Sequence, residues 1–199
     1  MTNDRINKKD LLKPENMVRM YANGAFPMAD KNGVLEWYMP EIRTIIPLDN
    51  FNIPRSLKKF MNNCNFEYRF SLDPLEVIKR CAEREETWIS GELIEAYKGL
   101  INRGNLHSVE VYQDKILLGG LYGVTFRGAF YGESMFSNVS QASKTALVKL
   151  VERLNEKGFE LLDVQFITEH LMMFGAVEIS FEEFMKRQIK AQYKDVYFL

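Results

Sequence analysis

The sequence predicts an α/β chain of the α+β type, with a mixed but largely antiparallel sheet, and three observations carry that prediction. Residues 107–136 fall into three alternating, strand-like runs separated by turn residues, the pattern of an antiparallel meander. The next segment places Ala142, Ala146, Leu147, Leu150, Val151 and Leu154 on one face of a helix. Before the meander, helices carrying their own start and stop signals follow a strand candidate.

Taken in order, residues 11–25 read as a short helix, with Pro14 near its start, apolar residues at 17, 18 and 20–22, and Gly24 past its end. Residues 26–50 are broken by Pro27, Pro40 and Pro47 and carry turn chemistry at Asn32-Gly33, so short strands and turns are expected there. Pro54 suits the first turn of a helix over 53–63. "FEYRFS" is a strand candidate, and the helix over 73–85 has Asp73 as its cap and Pro74 at its first position. Ser90 and Gly104 bracket a second helix. The meander turns at Asp114-Lys115 and again at Arg127-Gly128, and the strand "FELLDVQFI" follows the long helix. A strand, two helices, a meander, a long helix and a strand is the order of the N-acyltransferase (GNAT-like) fold. Residues 61–199 would form that domain, and residues 1–60 a small N-terminal one.

The chain has 199 residues, 46% of them hydrophobic, enough to bury a core. The leading stretch "MTNDRINKKDLLKPEN" is polar and mixed in charge, unlike a signal or transit peptide, and no apolar run approaches the ~20 residues a membrane span needs. Cys64 and Cys81 are far apart and read as free thiols of a reducing cytoplasm. His107 and His170 have no Cys/His cluster around them, so no metal site is expected. The 26 basic residues against 27 acidic ones give a net charge of −1, which offers no argument for tracking along a nucleic-acid duplex but leaves room for gripping a short end.

Two clusters carry chemistry. Glu133 stands with Ser134 and Ser137 in "YGESMFS", as if a buried strand ended on a carboxylate. Asp163 and Gln165 lie two apart on a strand, which puts them on one face with Leu162, Val164 and Phe166 on the other. Such a pair orients a polar substrate, or else is a hydrated sheet edge or a helix-capping carboxylate.

The motifs "NGAFPM", "PRSLKKF", "ETWIS", "HSVEV", "GGLYGV", "GESMFSNVSQASKTALVKL", "LLDVQFITEH" and "GAVEI" occur in order over residues 17–180. Together they resemble the leucyl/phenylalanyl-tRNA–protein transferases. The chain departs from that pattern in residues 1–16, in Met28 where the family commonly has tryptophan, and in the tail from about residue 181. The resemblance implies transfer of leucine or phenylalanine from tRNA to the N-terminus of proteins beginning with Lys or Arg, as a degradation signal. It implies a cytoplasmic monomer with no cofactor and no membrane partner, gripping only the acceptor end of the aminoacyl-tRNA.

By the same resemblance Gln165, Asp163 and Glu133 are the catalytic residues. The Gln165 carbonyl would accept a hydrogen bond from the attacking amine while Asp163 orients or polarises it, with a relay through the pair and help from the tRNA ribose hydroxyl as competing pictures. Glu133 would meet the amine or the basic side chain of the acceptor. Leu121, Phe130, Leu150 and Leu162 would surround the aminoacyl side chain. Trp88 and Met28 would flank the terminal adenosine, with Trp37 or Tyr38 standing in for the absent second stacking ring. Arg55, Lys58 and Lys59 share a helix face and would contact phosphates. A coenzyme-A-dependent N-acetyltransferase is the rival enzyme, poorly served by the glycine-free "SNVSQASKT"; a non-catalytic relative that binds tRNA or N-termini is the other alternative.

Overall fold

The computed structural model describes residues 8–30, 32–85 and 87–199. Residues 1–7 of the polar leading stretch and of the expected N-terminal domain, and Glu86 of "ETWIS", lie outside them. The chain opens with α1 (Lys8–Leu11), α2 (Pro14–Ala22), β1 (Phe26–Ala29), β2 (Leu35–Tyr38), β3 (Ile42–Ile45) and α3 (Arg55–Met61). It continues through β4 (Glu67–Phe70), α4 (Pro74–Ala82), α5 (Gly91–Arg103), β5 (Leu106–Gln113), β6 (Ile116–Phe126) and β7 (Ala129–Ser137). Last come α6 (Ala142–Lys157), β8 (Leu161–Gln165), α7 (Glu169–Met172), β9 (Val177–Ser180) and α8 (Phe181–Gln192).

Local signals place α4, α5, α6 and the β5–β6 hairpin where the chain predicts them. Asp73 accepts the Glu76 N–H at 3.1 Å and Ser90 accepts the Leu93 N–H at 3.2 Å, each satisfying an orphan donor of a helix start. Gly104 and Gly158 close α5 and α6 in the left-handed conformation. Asp114 and Lys115 both have positive φ, which matches the twist a two-residue hairpin requires between β5 and β6.

The main sheet runs β4-β5-β6-β7-β8-β3-β9 and is antiparallel except for the β7–β8 pair, which α6 connects. This mixed, largely antiparallel α/β arrangement is the GNAT-like one expected. Neighbouring residues feed opposite cores, as strand pleating dictates. Tyr131 and Leu161 pack toward α2, α4, α5 and α8, whereas Phe130 and Leu162 pack toward α3, α6 and the C-terminal Phe198.

The main sheet also draws on the chain before residue 61. Only β1 and β2 form a sheet of their own; β3 is inserted between β8 and β9. Met17 and Tyr21 of α2 and Leu57 of α3 are buried in the two cores. The reason is composition: Arg43, Thr44, Ile45 and Ile46 are all buried, and such a strand needs hydrogen-bonded neighbours on both sides. Nor does β7 end at Glu133, since it runs on to Ser137.

β6 lies so close to its neighbours that a Cβ on Gly123 would stand 2.3 Å from the Phe130 ring and from the Tyr131 carbonyl oxygen. Gly123→Ala is expected to destabilise the fold by roughly 1–3 kcal/mol through overpacking, measured by urea unfolding.

Candidate active site

The site exists because β7 and β8 stop pairing. They are in parallel register through Ala129↔Leu161, Phe130↔Leu162 and Tyr131↔Asp163 and no further. Just beyond, Tyr122 pairs with Ser134 and Gly123 with Gly132, which leaves Glu133 as an extra residue in β7. A bulge of this kind bends its strand and re-aims the side chain. On β8 the Phe166 N–H donates to the Val164 carbonyl at 2.7 Å around Gln165, whose φ is 58°. That is the rarer, strained form of γ-turn, and a non-glycine residue held there costs about 1–3 kcal/mol. The two distortions open a wedge of about 580 Å³ between the strands.

The floor of the wedge is aliphatic: Leu121 from β6, Leu147 and Leu150 from α6, Leu162 from β8 and Leu171 from α7. Glu133, Ser134 and Gln165 supply polar wall, together with Thr168 and His170, and Phe26, Met28, Arg84, Trp88 and Phe166 are among the other lining residues. Thus Glu133 and Gln165, on different strands, face one cleft above an apolar floor.

Glu133 is half-buried as a residue, with its carboxylate turned inward. The Tyr97 hydroxyl donates to its Oε2 at 2.8 Å, and the Tyr21 hydroxyl lies 3.4 Å from that of Tyr97. Its Oε1 is buried without a hydrogen-bond partner among the described residues. Burial pushes the carboxyl up to about 7; the tyrosine hydrogen bonds oppose this, and the negative charge of Asp163 adds to it. Burial, followed by the nearby Glu133 carboxylate, holds the Tyr97 hydroxyl well above its ordinary value, so it stays a donor.

Asp163 and Gln165 do not share a face. The left-handed turn ends the strand alternation, so Gln165 lines the cleft with Leu162 and Val164 while Asp163 lies outside it, fully buried. Both Asp163 oxygens are engaged by Arg43, through Nε at 3.2 Å on Oδ1 and through Nη2 on Oδ2. Oδ1 also accepts the Gln165 backbone N–H at 3.1 Å. Asp163 therefore reaches Gln165 through the main chain, and the Gln165 Nε2 is buried with no partner among the described residues.

Of the four residues expected around an aminoacyl side chain, Leu121, Leu150 and Leu162 line the cleft and Phe130 does not. Strand pairing turns Phe130 beneath Gly123 and against Phe198, 5.6 Å away between ring centroids. Trp88 and Met28 both line the cleft. Trp37 and Tyr38 do not; Trp37 packs edge-on to Tyr21 and Tyr38 stacks on Phe26. The aromatic rings at that wall are instead Phe26 and the half-exposed Phe166, in edge contact at 5.6 Å. Arg55, Lys58 and Lys59 are exposed along α3, and none of them lines the cleft. Among the described residues no group of three or more His, Cys, Asp or Glu is placed to hold a metal ion.

Sequence reading missed Arg43, Tyr97, Phe26 and His170. Arg43 had a signal, as the lone charge in the apolar run "IRTIIP". Tyr97 had none, because its partner Glu133 is 36 positions away.

A carboxyl raised from 4.5 to about 7 on folding supports the folded state at low pH, and that support is lost as pH climbs between the two values. Glu133→Gln removes the titration. The variant is expected to melt well above the parent at pH 8, with the difference shrinking by pH 5, in parallel thermal melts.

The family profile of the leucyl/phenylalanyl-tRNA protein transferases matches residues 45–189, and that of their N-terminal domain matches residues 10–41. The gap between the two falls on β3, the strand that ties the N-terminal segment into the sheet. A leucyl/phenylalanyl-tRNA–protein transferase of Herpetosiphon aurantiacus is 50% identical over 181 residues, 90% of this chain and 94% of that one. One of Salinibacter ruber is 45% identical over 183 residues, 92% of this chain and 81% of that one. Among solved structures, a PaiA N-acetyltransferase from Thermoplasma acidophilum in complex with coenzyme A aligns at 18% identity and a TM-score of 0.35, over 48% of this chain and 76% of that one. With an ordered match along most of its length, the chain belongs to the leucyl/phenylalanyl-tRNA protein transferase family.

Proposed function

We propose that this aminoacyltransferase moves leucine or phenylalanine from a charged tRNA to the α-amine of proteins beginning with Lys or Arg, marking them for degradation. It works as a cytoplasmic monomer and without a cofactor. The observation that carries this reading is the pairing of an aliphatic floor with two polar groups, Glu133 and Gln165, on facing strands of one cleft. An apolar side chain seated among Leu121, Leu147, Leu150 and Leu162 leaves its ester carbonyl level with those groups. The acceptor nitrogen attacks that carbonyl carbon, the C–N bond forms, the bond to the ribose oxygen breaks, and the proton shed by nitrogen ends on that oxygen. The ester is already activated, so holding the reactants in register supplies much of the rate, up to roughly 7–11 kcal/mol of barrier.

An acceptor amine arrives mostly as ammonium, with a pKa of about 7.7–8.0. A carboxyl held at about 7 lies close to it, so Glu133 both pairs with a cation and takes its surplus proton at little cost. The Gln165 amide does not titrate; its carbonyl orients the neutral amine, and its unpartnered Nε2 is a donor for the oxygen of the ester carbonyl. Trp88 with Met28 and Phe166 supplies the wall for the terminal adenosine, and Arg55, Lys58 and Lys59 are the proposed phosphate contacts. The rival coenzyme-A reading needs free amides at the start of α6. There the Ser137 hydroxyl already accepts the Ser143 N–H at 3.2 Å.

Leucyl- and phenylalanyl-tRNA are expected to label an Arg-starting peptide, acetyl-coenzyme A is not, and the reverse result sinks the reading. Gln165→Ala is expected to lower kcat by roughly 100-fold or more with a smaller change in KM. Glu133→Gln should raise KM for Lys- and Arg-starting peptides by roughly 10-fold, the worth of a charge-assisted hydrogen bond; an unchanged acceptor preference removes that role.

A further inference from the structure

Arg43 is the largest fully buried side chain in the protein's described residues, yet it does not line the cleft. Its guanidinium lies between the rings of Phe26 and Phe184, 4.7 and 4.5 Å from their centroids. In the plane of that sandwich it donates to both oxygens of Asp163 and, through Nη1, to the Gly24 carbonyl. Each contact leads to a cleft wall. Asp163 Oδ1 takes the backbone N–H of Gln165 at the strained turn. Gly24, with φ at 85°, lies two residues before Phe26, which also lines the cleft and packs on Phe166, the residue that follows Gln165. The strand that carries Arg43 also places Thr44 opposite Gln165 and Ile45 opposite Asp163, with a register shift between them.

We propose that Arg43 is a positioning residue for the transfer reaction, tying the Gln165 turn at the end of β8 to the Gly24–Phe26 entry of β1 so that Gln165 and Phe26 keep their places in the cleft. This rests on the proposed reaction. The planar fork is what the arrangement uses, since three donors must leave one flat group held between two rings; an ammonium carries the charge but not that geometry. Asp163 then serves by holding the Gln165 main chain in place, not by passing charge through its side chain. A left-handed residue that loses its acceptor relaxes toward ordinary strand geometry and swings its side chain out of the cleft.

The test compares the parent with Arg43→Lys, which keeps charge and most of the volume. In steady-state transfer of leucine from charged tRNA to an Arg-starting peptide, kcat is expected to fall about 100-fold, with KM for the charged tRNA within three-fold of the parent. Amide hydrogen exchange gives a readout independent of activity. The Gln165 amide should be protected in the parent and exchange at least ten-fold faster in the variant, while the Val124 amide of β6 stays unchanged.

If the parent transfers leucine and Arg43→Lys keeps kcat within three-fold, or if the Gln165 amide is unprotected in the parent, the positioning role is overturned. If the amide responds as expected but the parent transfers nothing from tRNA, the positioning role stands and the proposed reaction falls. Should Arg43→Lys not fold, the paired replacement Arg43→Met with Asp163→Leu removes both charges together, a change buried ion pairs often tolerate. It is expected to fold and to show the same loss of kcat and of Gln165 protection; retention of either overturns the proposal.

Discussion

A positive and a negative charge, both cut off from water, are the constraint around which this protein is assembled. Arg43 and Asp163 stand 120 positions apart in the chain, and neither side chain is exposed. Taking each ion out of water costs several kcal/mol, which their attraction offsets only in good geometry with the remaining donors and acceptors filled. Here the fork meets both carboxylate oxygens, the Gly24 carbonyl takes a further donor, and two phenyl faces cover the cation. That set is complete only when β3, β8, the entry to β1 and α8 are all seated. β3 is therefore a strand of the main sheet, and Met17, Tyr21 and Phe26 pack into the core beside it.

The cleft depends on two departures from regular pairing. A sheet with β7 and β8 in continuous register would close over the space between them. An extra residue in one strand and a left-handed residue in the other part them at the same level. Both irregular positions carry the polar groups of the site, Glu133 and Gln165. Strain stored at a working site persists when its surroundings over-determine it, and the Asp163 oxygen on the Gln165 N–H is that surrounding here. The ion pair and the turn are thus one device.

Dryness links the floor of the cleft to the chemistry at its wall. Leucines from four elements line the space an apolar aminoacyl group would fill, and at the wall of the same cleft burial raises the Glu133 carboxyl to about 7. The Tyr97 hydroxyl moderates the rise without cancelling it. A single environment thereby serves an apolar donor group and leaves a carboxyl half-ionised near neutral pH.

Much of this was legible in the amino-acid order. Caps at Asp73, Ser90 and Gly104, the hairpin at Asp114-Lys115 and the apolar stripe of α6 are local, so the elements and the GNAT-like order follow from neighbours a few residues apart. Family membership was legible too, because motifs such as "GESMFS" and "LLDVQF" occur in order along the chain. Tertiary structure alone decided that β3 enters the main sheet, that Glu133 is a bulge inside a strand and not its end, that Phe130 turns away from the cleft, and that Asp163 and Gln165 part company. The first is a pairing across more than a hundred residues, which leaves no trace in local periodicity, and the others are departures from regular strand alternation, a bulge in β7 and a turn at Gln165, that a period-two pattern does not encode.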